Sequence, residues 1–276
     1  MSRRLRPGKV FVYAVLFVMT AASLFPFLWL IRSSFMSSEE IFAMPLRWIP
    51  EQIRVENFQE ALTAAPFDAY FRNTLLVVGL NIIGSLFSSS LAAFGFARIN
   101  FTGRNFLFGL VLATMMIPST VLLIPQFFGW RMIGAYDTLY PLVVPSFFIN
   151  GFFIFLLKQF FSTIPREYDE AAFIDGANYL QIYSRIMLPL SRPALMTVGV
   201  FTFMWNWNDF FGPLIYLSSK QNYTLALGLQ TFIGQYTTQW HYLMAASLVV
   251  VLPMILLFFF AQRAFIEGIA FSGLKG

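Results

Sequence analysis

Residues 73–97 read NTLLVVGLNIIGSLFSSSLAAFGFA, an uninterrupted stretch without one charged side chain. A bilayer core about 30 Å thick is crossed by roughly 20 apolar residues in helical form. Lipid offers the backbone no hydrogen-bond partner, and this run does not alternate as a barrel strand would, so it reads as a membrane-spanning helix. Five further charge-poor runs lie on either side of it: Val10–Ile31, Phe106–Phe128, Leu139–Leu157, Ala194–Leu217 and Leu243–Ala261. The expectation is an all-α integral membrane protein of six transmembrane helices, formed as one domain over residues 1–276.

Composition agrees. Hydrophobic residues make up 58% of the chain and charged residues 11%, with a mean hydropathy of +0.69, whereas soluble domains carry roughly a quarter charged. There is no cysteine, which removes disulfides, thiol catalysis and thiolate metal sites. His241 is the only histidine, with no second ligand to support a metal role. The net charge of +5 comes from basic residues scattered at helix ends, a pattern that sets membrane orientation and not one that binds nucleic acid.

The head with Arg3, Arg4, Arg6 and Lys9 precedes an apolar run longer than the ~7–15 residues of a signal-peptide core, so that run is read as an uncleaved first span. Arg98, Arg104, Lys158, Arg166, Arg185, Arg192, Arg263 and Lys275 fall on the same side as that head. The opposite side holds Arg32, Arg47, Arg54, Arg72, Arg131 and Lys220. The bias places both termini in the cytoplasm. Pro26, Pro118, Pro125, Pro141, Pro145, Pro213 and Pro253 fall in or near the spans and are expected to bend them. Two loops on the external side, Arg32–Arg72 and Ser218–Tyr242, are longer than connection requires.

The most charged connection, Lys158–Arg192, lies on the cytoplasmic side and contains IPREYDEAAFIDGANYLQIYSRIMLPLSRPA from Ile164 to Ala194. Pro165 sits where a helix starts, and Glu167, Asp169 and Glu170 fall in its first turn, where negative charge complements the helix dipole. Gly176 is placed to end that helix. Ala171, Ala172 and Ala177 are small enough for close approach to another protein, and Phe173 and Tyr179 suit grooves. An acidic face does not favour an anionic lipid surface, so a cytoplasmic protein is the expected neighbour.

Within this loop Glu170, Ala171 and Ala172, then Gly176 after three residues, then Ile186, Met187, Leu188 and Pro189 after nine more, resemble the EAA signature of binding-protein-dependent ABC permeases. The cluster Trp205, Asn206, Trp207, Asn208, Asp209 and Phe210, the group Tyr223, Thr224, Leu225 and Gly228, and the ending from Ala261 to Gly276 resemble the carbohydrate-uptake branch. They are similar to the smaller permease of maltose-type and glycerol-3-phosphate-type importers. The resemblance implies a type I ABC importer permease fold in a bacterial inner membrane, with Lys158–Arg192 as the coupling loop. Its partners would be a homologous second permease, two ATPase subunits and an extracytoplasmic sugar-binding protein.

That resemblance assigns contact with the ATPase to Glu170, Ala171, Ala172, Phe173, Asp175, Gly176, Ile186, Leu188 and Pro189, and tail contacts to Gly273, Lys275 and Gly276. The glycines of the tail leave little intrinsic helix propensity. A sugar path lined by aromatic and amide groups would draw on Asn150, Trp205, Asn206, Asn208 and Asp209. Counting ~1.5 Å per residue puts Asp209 well along the fifth helix.

No catalytic residue and no cofactor are expected on this chain. A phosphate-cradling GxxxxGK[ST] loop is absent, so ATP and Mg would sit in the partner ATPase. Two other readings remain open: an ion-coupled secondary transporter, against which the scarcity of ionisable residues in the spans counts, and a non-transporting anchoring protein. Glycerol 3-phosphate is the alternative cargo.

Overall fold

Apolar side chains on nearly every face of the long runs leave helix as the only backbone form that satisfies itself in lipid, and the chain is helical almost throughout. The computed structural model describes residues 7–148, 150–234 and 238–273. In chain order the helices begin with α1 (Pro7–Ser34), α2 (Ser38–Ile41), α3 (Glu56–Thr63) and α4 (Phe67–Arg98). Next come α5 (Arg104–Thr114), α6 (Ser119–Met132), α7 (Tyr140–Val143) and α8 (Gly151–Thr163). A short connection leads to α9 (Glu167–Ile174), α10 (Tyr179–Ile182), a π-helical turn at Tyr183–Met187, α11 (Leu188–Leu190) and α12 (Arg192–Trp207). The last helices are α13 (Phe211–Tyr216), α14 (Leu225–Gly228) and α15 (Trp240–Gly273).

Among the described residues four helical stretches are long and apolar enough to cross a bilayer: Gly8–Ser34, Phe67–Arg98, Tyr140–Thr163 and Trp240–Phe260. A fifth results if Tyr179–Leu190 and Arg192–Trp207, which meet at 78°, are taken together. Three of the six expected runs are therefore not continuous helices. The run 106–128 stops after Thr114 and restarts at Ser119, because Pro118 stands at the N-cap in an extended conformation (ψ 127°) and lacks an N–H for the preceding turn. The run 139–157 changes to a 3-10 turn at Val144–Phe147, with Pro145 near its start, and begins again at Gly151. The run 194–217 ends at Trp207 and resumes at Phe211. Pro26, Pro125 and Pro253, by contrast, are carried inside α1, α6 and α15.

The chain divides into two compact units. One contains the residues up to Phe67 with Leu229–Leu252. No residue in the apolar window of α1 is buried in it. The end of α1 is tied down by polar groups: Asn57 Nδ2 donates to the carbonyls of Ser34 and Met36 at 3.0 and 2.9 Å. Arg32 stacks over the Trp29 ring at 4.5 Å and donates from Nε to the Arg47 carbonyl at 2.7 Å. In the same unit Tyr242 Oη donates to Glu60 at 2.6 Å, and Ser38 Oγ lies 2.6 Å from His241 Nδ1.

The other unit, Asp68–Gly228 with the chain from Pro253 on, holds the main core. It gathers Ala93, Phe94 and Ala97 of α4, Phe153, Leu157 and Phe161 of α8, and Ala194 and Val198 of α12. At one end Asp137, in left-handed conformation (φ 59°), accepts hydrogen bonds from the backbone N–H of Ser218 and Ser219, the Ser219 hydroxyl and Asn222 Nδ2. Burial raises this carboxyl, but the four donors outweigh it and bring it down to about 2. Asn73 and Thr74 of α4 bond the backbone of Gln221, Tyr223 and Leu225, so the first part of the expected external loop Ser218–Tyr242 is pinned in place.

Candidate functional site

Helix α8 ends where Ile164 turns extended (ψ 128°) ahead of Pro165, and α9 opens with Glu167, Asp169 and Glu170 in its first turn, where unpaired N–H groups favour negative charge. Within α9 only Asp169 and Ala172 are buried, three apart and so on one face. Glu170, Ala171, Phe173 and Asp175 are exposed, as is Ile174, with 87% of its surface open. Ala172 belongs to the core cluster of its own chain together with the buried residues of α4 and α8. Its small side chain thus serves close packing within this protein, and it is Ala171 that faces outward.

The end of α9 is a two-bond cap: Ala177 N–H bonds the Ala172 carbonyl at 2.9 Å and Gly176 N–H the Phe173 carbonyl at 3.0 Å, the pattern that requires a left-handed residue. Gly176 supplies it with φ +83°, and no heavy atom lies within 4 Å of where a Cβ would sit. Glycine is therefore needed for the turn and not for space. Beyond it Asn178 and Gln181 form a reciprocal cap on α10. Ile182, Tyr183 and Met187 are buried in the core cluster, and Tyr183 Oη lies 2.7 Å from Ser90 Oγ of α4. Ile186 and Leu188 are half-buried against the same cluster, and Pro189 is exposed. Phe173 and Tyr179 meet edge to face at 5.0 Å across the turn.

The residue missed in the sequence is Arg98. Counted there only as a basic flank, it is the last residue of α4 and 7% exposed. Its Nη2 donates to the Ile164 carbonyl at 2.7 Å, and its Nε stands 3.3 Å from Asp169 Oδ2. The Nε approach is within ion-pair reach but is not aligned as a hydrogen bond, and Asp169 Oδ1 is buried without a hydrogen-bond partner. Burial pushes the Asp169 carboxyl up, against the pull of the Arg98 and Arg166 guanidiniums. The sequence signal for it is slight: an arginine closes the charge-free run 73–97 on the same side as the acid-rich connection Lys158–Arg192.

The candidate path residues cluster near the break after α12. Asn206 and Asn208 each donate from Nδ2 to the carbonyl four residues back, at 2.8 Å. Asp209 lies beyond the end of its helix, contrary to the position expected from counting. Its Oδ1 accepts from Gly212 N–H at 3.0 Å, capping α13. Asn150 caps α8 by accepting from Phe153 N–H at 3.1 Å. These polar side chains thus turn toward their own backbone. Trp205 differs: half exposed, it stacks on Phe153 at 5.2 Å and 20°, with Phe152 and Phe201 packed around it. Trp207, two residues on, is 2% exposed and stacks on Phe203.

Of the tail residues, Lys275 and Gly276 lie outside the described residues, and Gly273 ends α15. The helix runs through Gly268 to Gly273 despite the low propensity expected there, because elongating an existing helix avoids the cost of nucleation. Among the described residues no group of three or more His, Cys, Asp or Glu could hold a metal ion.

Comparison with known proteins places this geometry. The model for the family described as binding-protein-dependent transport system inner membrane component matches residues 84–270. The chain is 32% identical to the probable ABC transporter permease protein YurM of Bacillus subtilis, over 98% of this chain and 89% of that protein. It is also 32% identical to the arabinooligosaccharides transport system permease protein AraQ of Halalkalibacterium halodurans, over the whole of both chains. In structure it is similar to a chain of a bacterial ABC transporter involved in the import of the acidic polysaccharide alginate, with TM-score 0.83 and 23% identity over 95% of this chain and 99% of that one. The chain, a multi-pass inner-membrane protein whose signature loop is seated on α4 and α8, belongs to the binding-protein-dependent transport system inner membrane component family.

Proposed function

We propose that this protein is the permease subunit of an ATP-driven importer that passes a sugar or oligosaccharide, handed over by an extracytoplasmic binding protein, through a pore shared with a second, homologous permease. It performs no chemistry on the cargo; two ATPase subunits bind ATP and Mg. The observation that carries the reading is the two-sidedness of α9. One face is fixed to the protein's own core through Ala172 and Asp169. The other offers Glu170, Phe173 and Ile174 beside Tyr179 and Leu180, all exposed. An apolar, acid-edged ridge on an exposed helix matches a groove with basic rims in a soluble protein.

In this reading both termini and Lys158–Arg192 are cytoplasmic. The chain forms one domain of six spans when the broken runs 106–128, 139–157 and 194–217 are each counted once. Gly273, Lys275 and Gly276 add tail contacts to the ATPase. A sugar as cargo is supported by the arabinooligosaccharide system of one relative and by the half-exposed Trp205, since aromatic faces suit sugar rings at a wet site. Asn150, Asn206, Asn208 and Asp209 shape that site chiefly by bonding the backbone at the helix ends around it. Closure of the ATPase dimer moves α9, and the helices rock between inward- and outward-facing states.

Affinity purification of the tagged chain from membranes of its host tests this. A second permease and an ABC ATPase in the eluate, with ATP hydrolysis, is the expected result. A chain isolated alone that drives uptake with an ion gradient contradicts it.

A further inference from the structure

We propose that Arg98 is a positioning residue: with Asp169 and the carbonyl of Ile164 it forms the joint through which displacement of α9 is carried into α4. The inference rests on the reading of Lys158–Arg192 as the ATPase-coupling loop.

One guanidinium meets every element that converges there. It ends α4, bonds the last carbonyl after α8, faces Asp169 of α9, and its Nη2 lies 3.6 Å from Met187 Sδ in the π-helical turn leading to α12. A planar fork of five donors with a permanent charge can serve several directions at once, whereas an ammonium cannot hold that arrangement. The packing around it is apolar, and apolar contacts are non-directional, so they resist compression better than sliding. The Arg98 hydrogen bond to the Ile164 carbonyl is directional, and separating the buried Arg98–Asp169 pair leaves an uncompensated charge. When α9 shifts, Asp169 therefore draws Arg98 with it. The unpartnered Asp169 Oδ1 leaves much of that carboxylate's demand on Arg98.

The other end of the connection is equally specific. Helix α4 is a single rod of 32 residues, so a displacement at Arg98 is felt along its length. Farther up, Ser88 Oγ donates to the Ser146 carbonyl at 3.0 Å and Asn81 Nδ2 to the Leu142 carbonyl at 2.9 Å. At Gly84 a Cβ would meet Ser146 Oγ. These contacts grip the broken segment that leads to Asn150 and to Phe153, on which Trp205 stacks. The joint thus connects the loop to the candidate path through one rigid helix.

Spin-label distances in the assembled complex with its ATPase subunits in nanodiscs test this, with ATP and vanadate as the only additions. The chain has no cysteine of its own, so labels go where cysteines are placed. One pair is Tyr168→Cys with Leu91→Cys, and the other Leu91→Cys with Phe259→Cys, all exposed positions. Without further changes, trapping should shift the second distance and leave the first constant. Asp169→Asn should reverse this, so that α9 moves and α4 does not follow. Arg98→Lys, which keeps the charge and is less disruptive, should lose more than half of the second shift. Exchange of the pair, Arg98→Asp with Asp169→Arg, should restore part of it.

A second shift of full size in Asp169→Asn and in Arg98→Lys overturns the joint. If Glu170→Lys still abolishes the shifts in that case, the coupling loop stands without it. If Glu170→Lys leaves every shift intact, the coupling reading itself fails, and the joint with it.

Discussion

The loop Lys158–Arg192 and the break between α12 and α13 are two polar parts of an otherwise apolar unit, and they use polarity in opposite ways. In the loop, Asp169 turns inward onto Arg98 of α4 and holds α9 against the core, which leaves Glu170 and Asp175 facing out. At the break, Asn206 and Asn208 bond carbonyls of the last turns of α12, and Asp209 accepts from the first turn of α13. Charge in the first region fixes which face of α9 is exposed. In the second, polar side chains bond the backbone beside the bend, and Trp205, Asn208 and Phe211 are exposed there.

Substitutions that exploit this difference should rank accordingly. The largest effect on transport is expected from Glu170→Lys, which reverses charge on the outward face while leaving the core intact. ATPase association should be lost with no change in the thermal stability of the isolated permease, as read by size-exclusion and melting in detergent. Asp169→Asn acts on the inward face instead. Removing one member of a buried ion pair costs about 3–5 kcal/mol, so here the melting temperature itself should fall.

Much of the architecture was legible beforehand because it follows from solvent and spacing: a charge-free run such as 73–97 has few alternatives in lipid, and the EAA spacing fixes where α9 must end. What was not legible depends on three-dimensional neighbours. Arg98 and Asp169 are 71 positions apart, and the sequence offers one as a flank and the other as a first-turn acid. Ala172 and Ala171 are indistinguishable by type, yet one is buried and the other exposed. The break at Pro118 is not distinguishable in sequence from Pro26, Pro125 and Pro253, which their helices carry, and the break at Asn208–Phe210 holds no proline to announce it.

Smaller effects belong to positions where backbone conformation alone is at stake. Gly176→Ala has space for its methyl group but must hold φ +83°, a strain of about 1–2 kcal/mol, so coupling should weaken without vanishing. ATPase stimulation in the reconstituted complex reads this. Asp209→Asn keeps an acceptor for Gly212 N–H and should leave stability within about 0.5 kcal/mol and transport unchanged. A large loss of transport there would mean that the charge itself takes part, and the contrast between the two regions would collapse.

The central claim is that the outward face of α9, and not its inward face, is seated in an ATPase subunit. Single cysteines at Ile174 and at Ala172, in a chain that otherwise has none, test it by thiol cross-linking in the purified complex. Ile174→Cys should form a cross-link to the ATPase that trapping with ATP and vanadate alters, and Ala172→Cys should form none. Absence of any cross-link from Ile174→Cys, together with equal labelling by an aqueous reagent whether or not the ATPase is present, would contradict the account.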